Sequence, residues 1–186
     1  PAMGSHGGAT AKGQAAVLER LGVTAAACGA PVVSSMETER IGTVFGEVPL
    51  YFARDALALE HSIVVNRIKP HTKFIGPAES GILKMLCIGM GKHLGAVAYH
   101  TWAMKYGFFP LLKEMGGAIA ANSNFRFGLA VVENSFDKAL SISAVPAGRV
   151  FEDEARLNVL AKANLPRLPF RELDVLVVER IGKEIS

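Results

Sequence analysis

At 186 residues, half hydrophobic and a fifth charged, the chain has the length and composition of one folded domain with a sizeable core, which excludes long disorder. Its net charge of +3 comes with no run of Lys or Arg and no basic face interleaved with aromatics, which argues against a nucleic-acid partner. No apolar span reaches the ~20 residues a membrane helix needs, and no secretory leader is legible. A cytoplasmic protein with no membrane partner is therefore expected.

In chain order, Pro1–Gly8 reads as a short apolar lead into a glycine-flanked loop carrying Ser5 and His6. Thr10 suits the N-cap of a helix running to about Leu21, with Gly22 as its stop. A strand is expected near Pro31–Ser35. Ile41–Phe45 and Val48–Phe52 straddle Gly46-Glu47 as a hairpin. Arg54–His61 reads as a short helix and Ser62–Ile68 as a strand that ends in a polar, turn-rich loop.

Ile82–Met90 is apolar nearly all round, the mark of a helix buried between layers. Helices follow over Ala96–Tyr106 and over Phe108–Ala121, the second interrupted at Gly116-Gly117. Arg126–Val132 and Ala139–Val145 pair as strands, Arg149–Lys162 is an amphipathic helix, and Asp174–Val178 reads as an interior strand. Strands alternate with helices, so the expected class is α/β: a layered domain with a mixed, largely parallel sheet and flanking helices. Pro1-Ala2-Met3 opens inside a motif, and Gly182–Ser186 follows directly on an expected strand. Residues 1–186 are thus expected to form a single catalytic-type domain cut from a longer, two-domain chain.

The stretch from Asn66 to His100 carries the densest chemistry. A strand that ends in a polar loop and feeds a helix start is where α/β proteins place ligands. The free N–H groups and dipole at the Ser80-Gly81 helix start favour a phosphate or carboxylate. Arg67, Lys69 and Lys73 add local positive charge, again suited to a small anion.

Lys84 stands one turn into an otherwise apolar helix and admits two readings. It is either a snorkelling lysine or partner of Glu79, or else a desolvated nucleophile or cofactor anchor. His6, His71 and His100 each lie in or beside glycine-rich or polar loops, poised to face a cleft. His61 ends a helix, where a structural role prevails. His93 lies in Gly89–Ala96, which lacks the glycine-lysine order of a nucleotide phosphate loop. Cys28 and Cys87 lie far apart without a CxxC or CxxH companion, which argues against a zinc or iron–sulfur site made by this chain alone. Cys87, inside an apolar run, reads as a small core hydrophobe.

Taken in order, Ala2–His6 before a Thr-capped helix, Pro70-His71, Ser80-Gly81, Lys84 and then His100 resemble the nickel-dependent lactate racemase family over most of the chain. That resemblance implies racemisation or epimerisation of a small 2-hydroxy acid by hydride transfer to and from a nickel-pincer pyridinium mononucleotide. It implies His6 and His71 as paired acid/bases, one for each enantiomer, since an ordinary imidazole titrates near working pH. Lys84 would be the lysine joined to the cofactor, His100 a nickel ligand, and Ser80 and Gly81 a seat for the cofactor's phosphate.

The match is not complete. His71 and Lys84 lie 13 residues apart, a longer interval than in the racemase, and Ile82 stands where the family has a second glycine. Lys69 and Lys73 flank His71, suggesting a substrate more anionic than lactate. The competing reading, from a different class, is a cofactor-free domain that binds a small carboxylate or phosphate without catalysis.

Overall fold

The computed structural model describes residues 1–72 and 74–179. A single turn at His6–Ala9 leads into α1 (Ala11–Arg20) and α2 (Ala25–Cys28). The hairpin β1 (Thr38–Val44) and β2 (Val48–Ala53), the short α3 (Arg54–Leu57) and β3 (Ser62–Arg67) follow. After the site loop, α4 (Ile82–Lys84) passes without a break into a π-helical stretch, Met85–Met90. Next come α5 (Lys92–Tyr106), α6 (Phe108–Asn122), β4 (Phe125–Glu133), β5 (Ala139–Pro146) and α7 (Val150–Ala163).

The chain is α/β with a mixed sheet. β3 and β4 pair in parallel, and β4 and β5 antiparallel, in the order β3-β4-β5. β1 and β2 form a separate antiparallel pair. Their turn spans residues 45–47, with Phe45 and Gly46 both left-handed (φ 52° and 74°), the hand that matches the twist of flanking strands.

The run 82–90 is buried between layers, as its all-round apolarity predicts. Ile82, Leu83, Leu86 and Cys87 have no exposed surface, and they join Val64 and Ala130 of the sheet, Leu112 and Met115 of α6, and Leu50 and Phe52 of the hairpin in one core. Gly91 and Gly95 allow the close turn that follows. A Cβ on either would lie 2.3 or 2.4 Å from the Cys87 carbonyl oxygen.

Four expectations differ from the structure. Pro31–Ser35 has no regular structure, since no strand among the described residues offers it a ladder. Asp174–Val178 is likewise unpaired, with Val175 and Val177 77% and 84% exposed, because no neighbouring strand among the described residues completes it. The helix expected over Arg54–His61 ends at Leu57, where Asn124 Nδ2 takes the Ala56 and Leu59 carbonyls, each at 2.7 Å. α6 runs unbroken through Gly116-Gly117 because Gly116 serves contact, not a break: a Cβ there would sit 2.5 Å from Leu83 Cδ2. The expected arrangement at Gly182–Ser186 and the side chain of Lys73 lie outside the described residues.

Candidate functional site

The site is assembled from two loops and one helix. The first loop, Ala2–His6, is pinned from beneath. Gln14 of α1, wholly buried, donates from Nε2 to the carbonyls of Met3 (3.0 Å), Gly4 (3.2 Å) and His6 (3.4 Å). Lys92 Nζ, also buried, donates to Pro1 O (2.6 Å) and Gln14 Oε1 (3.3 Å). Burial pulls the Lys92 ammonium below the usual lysine range. Its backbone is left-handed (φ 54°), a strain of about 1–2 kcal/mol for a residue other than glycine, tolerated where surrounding contacts over-determine it. Thr10 caps α1 as expected, accepting from the Gly13 N–H at 3.1 Å.

Gly4 lets this loop lie directly on α5 and the π-helical stretch: a Cβ there would be 2.9 Å from both Ala96 Cβ and Ile88 Cγ2. The result is a groove of about 320 Å³ lined by Ser5, Ile88, His93, Val97, His100 and Thr101 among others. His93 and His100 stand two turns apart on α5 with Val97 between them, so they share a face. His6 is exposed on the same loop as Ser5.

The second loop follows β3. Lys69 forms an isolated bridge to Ser80, its N–H donating to the Ser80 carbonyl at 2.9 Å. Glu79, 2% exposed, organises the turn: its carboxylate accepts from the His71 N–H (2.7 Å) and the Gly76 N–H (2.9 Å), and it pairs with Lys162 of α7 at 2.5 Å. Burial works to raise the Glu79 pKa, but the Lys162 pair and the two N–H bonds outweigh it and hold the carboxyl below its ordinary range. His71 is half-buried, its ring stacked on Phe74 with centroids 4.5 Å apart.

Lys84 is the test of the two readings of the sequence. Glu79 belongs to Lys162, so it is not the partner of Lys84. The Lys84 ammonium reaches only the Ser80 hydroxyl, at 3.4 Å, among its hydrogen bonds to described residues. Its pKa is lowered, first by burial and then by the nearby charge of Lys69. Arg67, by contrast, is already compensated by Glu133 at 2.9 Å.

The helix start at Ser80-Gly81 does meet an acidic group, but one supplied by the chain itself. Glu154 of α7, wholly buried, accepts from the Leu83 N–H at 2.8 Å and from the Ile82 N–H. A Cβ on Gly81 would fall 2.6 Å from Glu154 Oε1. The N–H groups of Ile82 and Leu83, expected to seat a phosphate, are thus taken by the Glu154 carboxyl group.

His100 therefore lines the groove and His6 follows the lining residue Ser5 on the first loop, while His71, Ser80, Gly81 and Lys84 belong to the second loop and helix start. A row of ring contacts connects the two: His71 to Phe74, Phe74 to Phe108 (5.7 Å), Phe108 to Tyr99 (6.1 Å) and Tyr99 to His100 (5.4 Å). Cys87 is buried, with its thiol pushed up by burial, and takes the expected core role. His61 Nδ1 accepts from Arg126 Nε at 3.2 Å, a structural contact.

Gln14, Lys92, His93 and Glu154 are additions that sequence reading missed. Only His93 had a signal, its seven-residue spacing from His100. The other three are polar residues whose burial depends on distant elements.

Among the described residues no group of three or more His, Cys, Asp and Glu is placed to hold a metal ion, and no helix is long and apolar enough to cross a membrane. No family model and no curated protein matches this chain. Among solved structures, the lactate racemase apoprotein from Thermoanaerobacterium thermosaccharolyticum is similar over 73% of this chain, with a TM-score of 0.58 and 21% identity. The chain spans 35% of that protein's length, and at this identity the likeness shows the fold alone.

Proposed function

We propose that the chain is the catalytic portion of a cytoplasmic racemase or epimerase of a small 2-hydroxy acid, working with a nickel-pincer pyridinium nucleotide. The observation that carries the reading is Lys84. It is a partly buried amine with a lowered pKa and no carboxylate partner among the described residues, set beside the His71 loop on a fold shared with a lactate racemase apoprotein. Such an amine is suited to covalent attachment.

The donor set fits the group. A nickel ion that brings soft donors of its own needs one further ligand, and the exposed imidazole of His100 on the groove wall is of the right chemical type. When bound, the nucleotide supplies a reversible acceptor for the hydride on the substrate's Cα. The chain's residues supply the rest. His71, steadied by Phe74 and by Glu79 on its backbone, takes or returns the hydroxyl proton of one enantiomer. His6, on the loop that Gln14 and Lys92 pin, does the same for the other. Ser80 orients the Lys84 amine. With Glu154 on the N–H groups above Gly81, the roles of Ser80 and Gly81 are to hold Lys84 and to admit that carboxylate, and the phosphate is to be sought elsewhere.

The test is mass spectrometry with metal analysis on the complete protein, co-expressed with the enzymes that make the cofactor. A nickel-containing mononucleotide adduct on Lys84 is expected, and Lys84→Ala is expected to abolish it. Normal loading of Lys84→Ala would sink the assignment.

One observation favours a second reading, a cofactor-free domain that binds a small carboxylate or phosphate. Among the described residues, Lys69 and Lys84 form no ion pair. Tight anion binding that is indifferent to nickel would support it.

A further inference from the structure

The racemase reading gives Lys84 a bond to make, but an ammonium is not a nucleophile, and the amine must first lose a proton. The surroundings of Lys84 act in that direction. The Lys69–Ser80 bridge places Lys69 opposite the residue one turn before Lys84, and Ser80 Oγ receives the Lys84 ammonium at 3.4 Å. The Lys69 charge is felt at Lys84.

Among the described residues, the carboxyl groups on the neighbouring elements are engaged elsewhere or lie apart. In the loop, Glu79 is held by Lys162, His71 N–H and Gly76 N–H. On α7, Glu154 lies on the Leu83 N–H, Asp153 pairs with Arg149, and Glu152 lines a separate groove with Lys113 and Glu114 of α6. On β4, Glu133 pairs with Arg67. Beside β2, Asp55 acts on Lys92. Among the described residues, two cations at one edge of the site are left without an anion.

We propose that Lys69 is the activating residue of Lys84. Held across the Lys69–Ser80 bridge, with no carboxylate between among the described residues, its ammonium opposes a second positive charge at Lys84 and draws an anionic electrophile there. The biological meaning rests on the assignment of Lys84 as the attachment site, but the chemistry is open to test without nickel or hydride transfer. Once the Lys84 nitrogen has bonded to an acyl carbon, with its proton given to solvent and the acyl leaving group expelled, its own charge is gone and Lys69 remains to pair with an anionic group on the incoming molecule. This accounts for a lysine at this position beyond lowering a pKa.

Two probes separate the two parts. The neutral acylating agent succinimidyl acetate reads the amine alone: the Lys84 ammonium gives one proton to solvent, Nζ bonds to the acetyl carbon, and N-hydroxysuccinimide leaves. Pyridoxal 5′-phosphate is an anionic aldehyde. The neutral amine bonds to its carbonyl carbon, the aldehyde oxygen leaves as water with the two amine protons, and borohydride then delivers hydride to the imine carbon while solvent protonates nitrogen. Labelling of Lys84 is followed by peptide mass spectrometry on the complete protein made without the cofactor pathway, from pH 6 to 10.

Lys84 is expected to label with a lower midpoint than the exposed lysines. Lys69→Gln should raise that midpoint and slow acylation near neutrality about three- to tenfold, the effect of half to one pH unit. The loss with pyridoxal phosphate should be larger, because attraction is lost as well. Lys69→Arg, which keeps the charge, should restore both. An unmoved Lys84 midpoint in Lys69→Gln overturns the inference even if nickel adducts form on Lys84, in which case the racemase reading stands without it. A moved midpoint with no adduct supports the inference and removes its assigned purpose.

Discussion

Glu154 shows how much one buried side chain can decide. It accepts two backbone N–H bonds, which favour the carboxylate, yet burial raises its pKa from the ordinary 4.5 to about 7, so desolvation wins. Its Oε1 has no partner among the described residues. Between pH 4.5 and 7 the unfolded chain has lost this proton while the folded chain keeps it. The folded state therefore binds more protons, and its stability falls as pH rises through that window, by a total of roughly 3 kcal/mol. Glu154→Gln keeps an acceptor for the Leu83 N–H and cannot ionise. Urea unfolding at pH 5 and pH 8 should show this slope in the parent chain and a flatter one in Glu154→Gln. An equal slope in both would show that Glu154 stays ionised throughout. No pattern in the sequence marks this residue, because it reads as one more acidic residue beside Glu152 and Asp153 near the start of an amphipathic helix.

At the scale of elements, α6 separates two uses of one residue type. Gly116 faces Leu83, and its absent side chain is the reason that α4 and α6 can touch. Gly117 has nothing within 4 Å of an added Cβ. Gly116→Ala should cost about 1–3 kcal/mol by overpacking. Gly117→Ala should gain about 0.5–1 kcal/mol by lowering the entropy of the unfolded chain. Thermal unfolding of the two variants checks the pair, and equal shifts of the same sign would refute the packing assigned to Gly116.

The loop before α1 depends on one side chain in a comparable way. Gln14→Ala leaves the Met3, Gly4 and His6 carbonyls without their shared donor, and a buried polar group so abandoned costs about 1–3 kcal/mol. The variant should unfold at lower urea concentration, with faster amide exchange confined first to residues 3–9. Helix length and capping were legible at Thr10, where a hydroxyl one turn before Gly13 is a local signal. The glycine pair misled because a close approach between helices is not local.

For the whole molecule, the three-stranded sheet has one covered face and one bare one. Val64, Ala130, Val132 and Val145 point into the core, whereas Ile63, Val65 and Ile142 are 50%, 64% and 66% exposed. Register places Val65 beside Leu129, and Ile142 beside Val131, on the bare face. The 186-residue chain should therefore bind an apolar-surface dye such as anilinonaphthalene sulfonate. Val65→Thr with Ile142→Thr, which keeps β-branched side chains, should lower that binding severalfold. Undiminished dye binding would place the exposed apolar surface elsewhere.

The sequence by itself determined the alternation of strands and helices, the hairpin at Gly46, the buried run 82–90, and the order of His6, His71, Lys84 and His100. Each of these is written in a local period, a cap or a spacing. Tertiary structure decided the matters that depend on residues far apart in the chain. Glu79 went to Lys162, 83 positions on, and left Lys84 with Lys69 and Ser80. Glu154 reached Leu83 across 71 positions and took the helix start from any phosphate. Lys92 and Gln14, 78 positions apart, closed beneath the His6 loop. Charges and buried hydrogen bonds act through space and through the exclusion of water, so which cation meets which carboxylate is settled only when the layers pack.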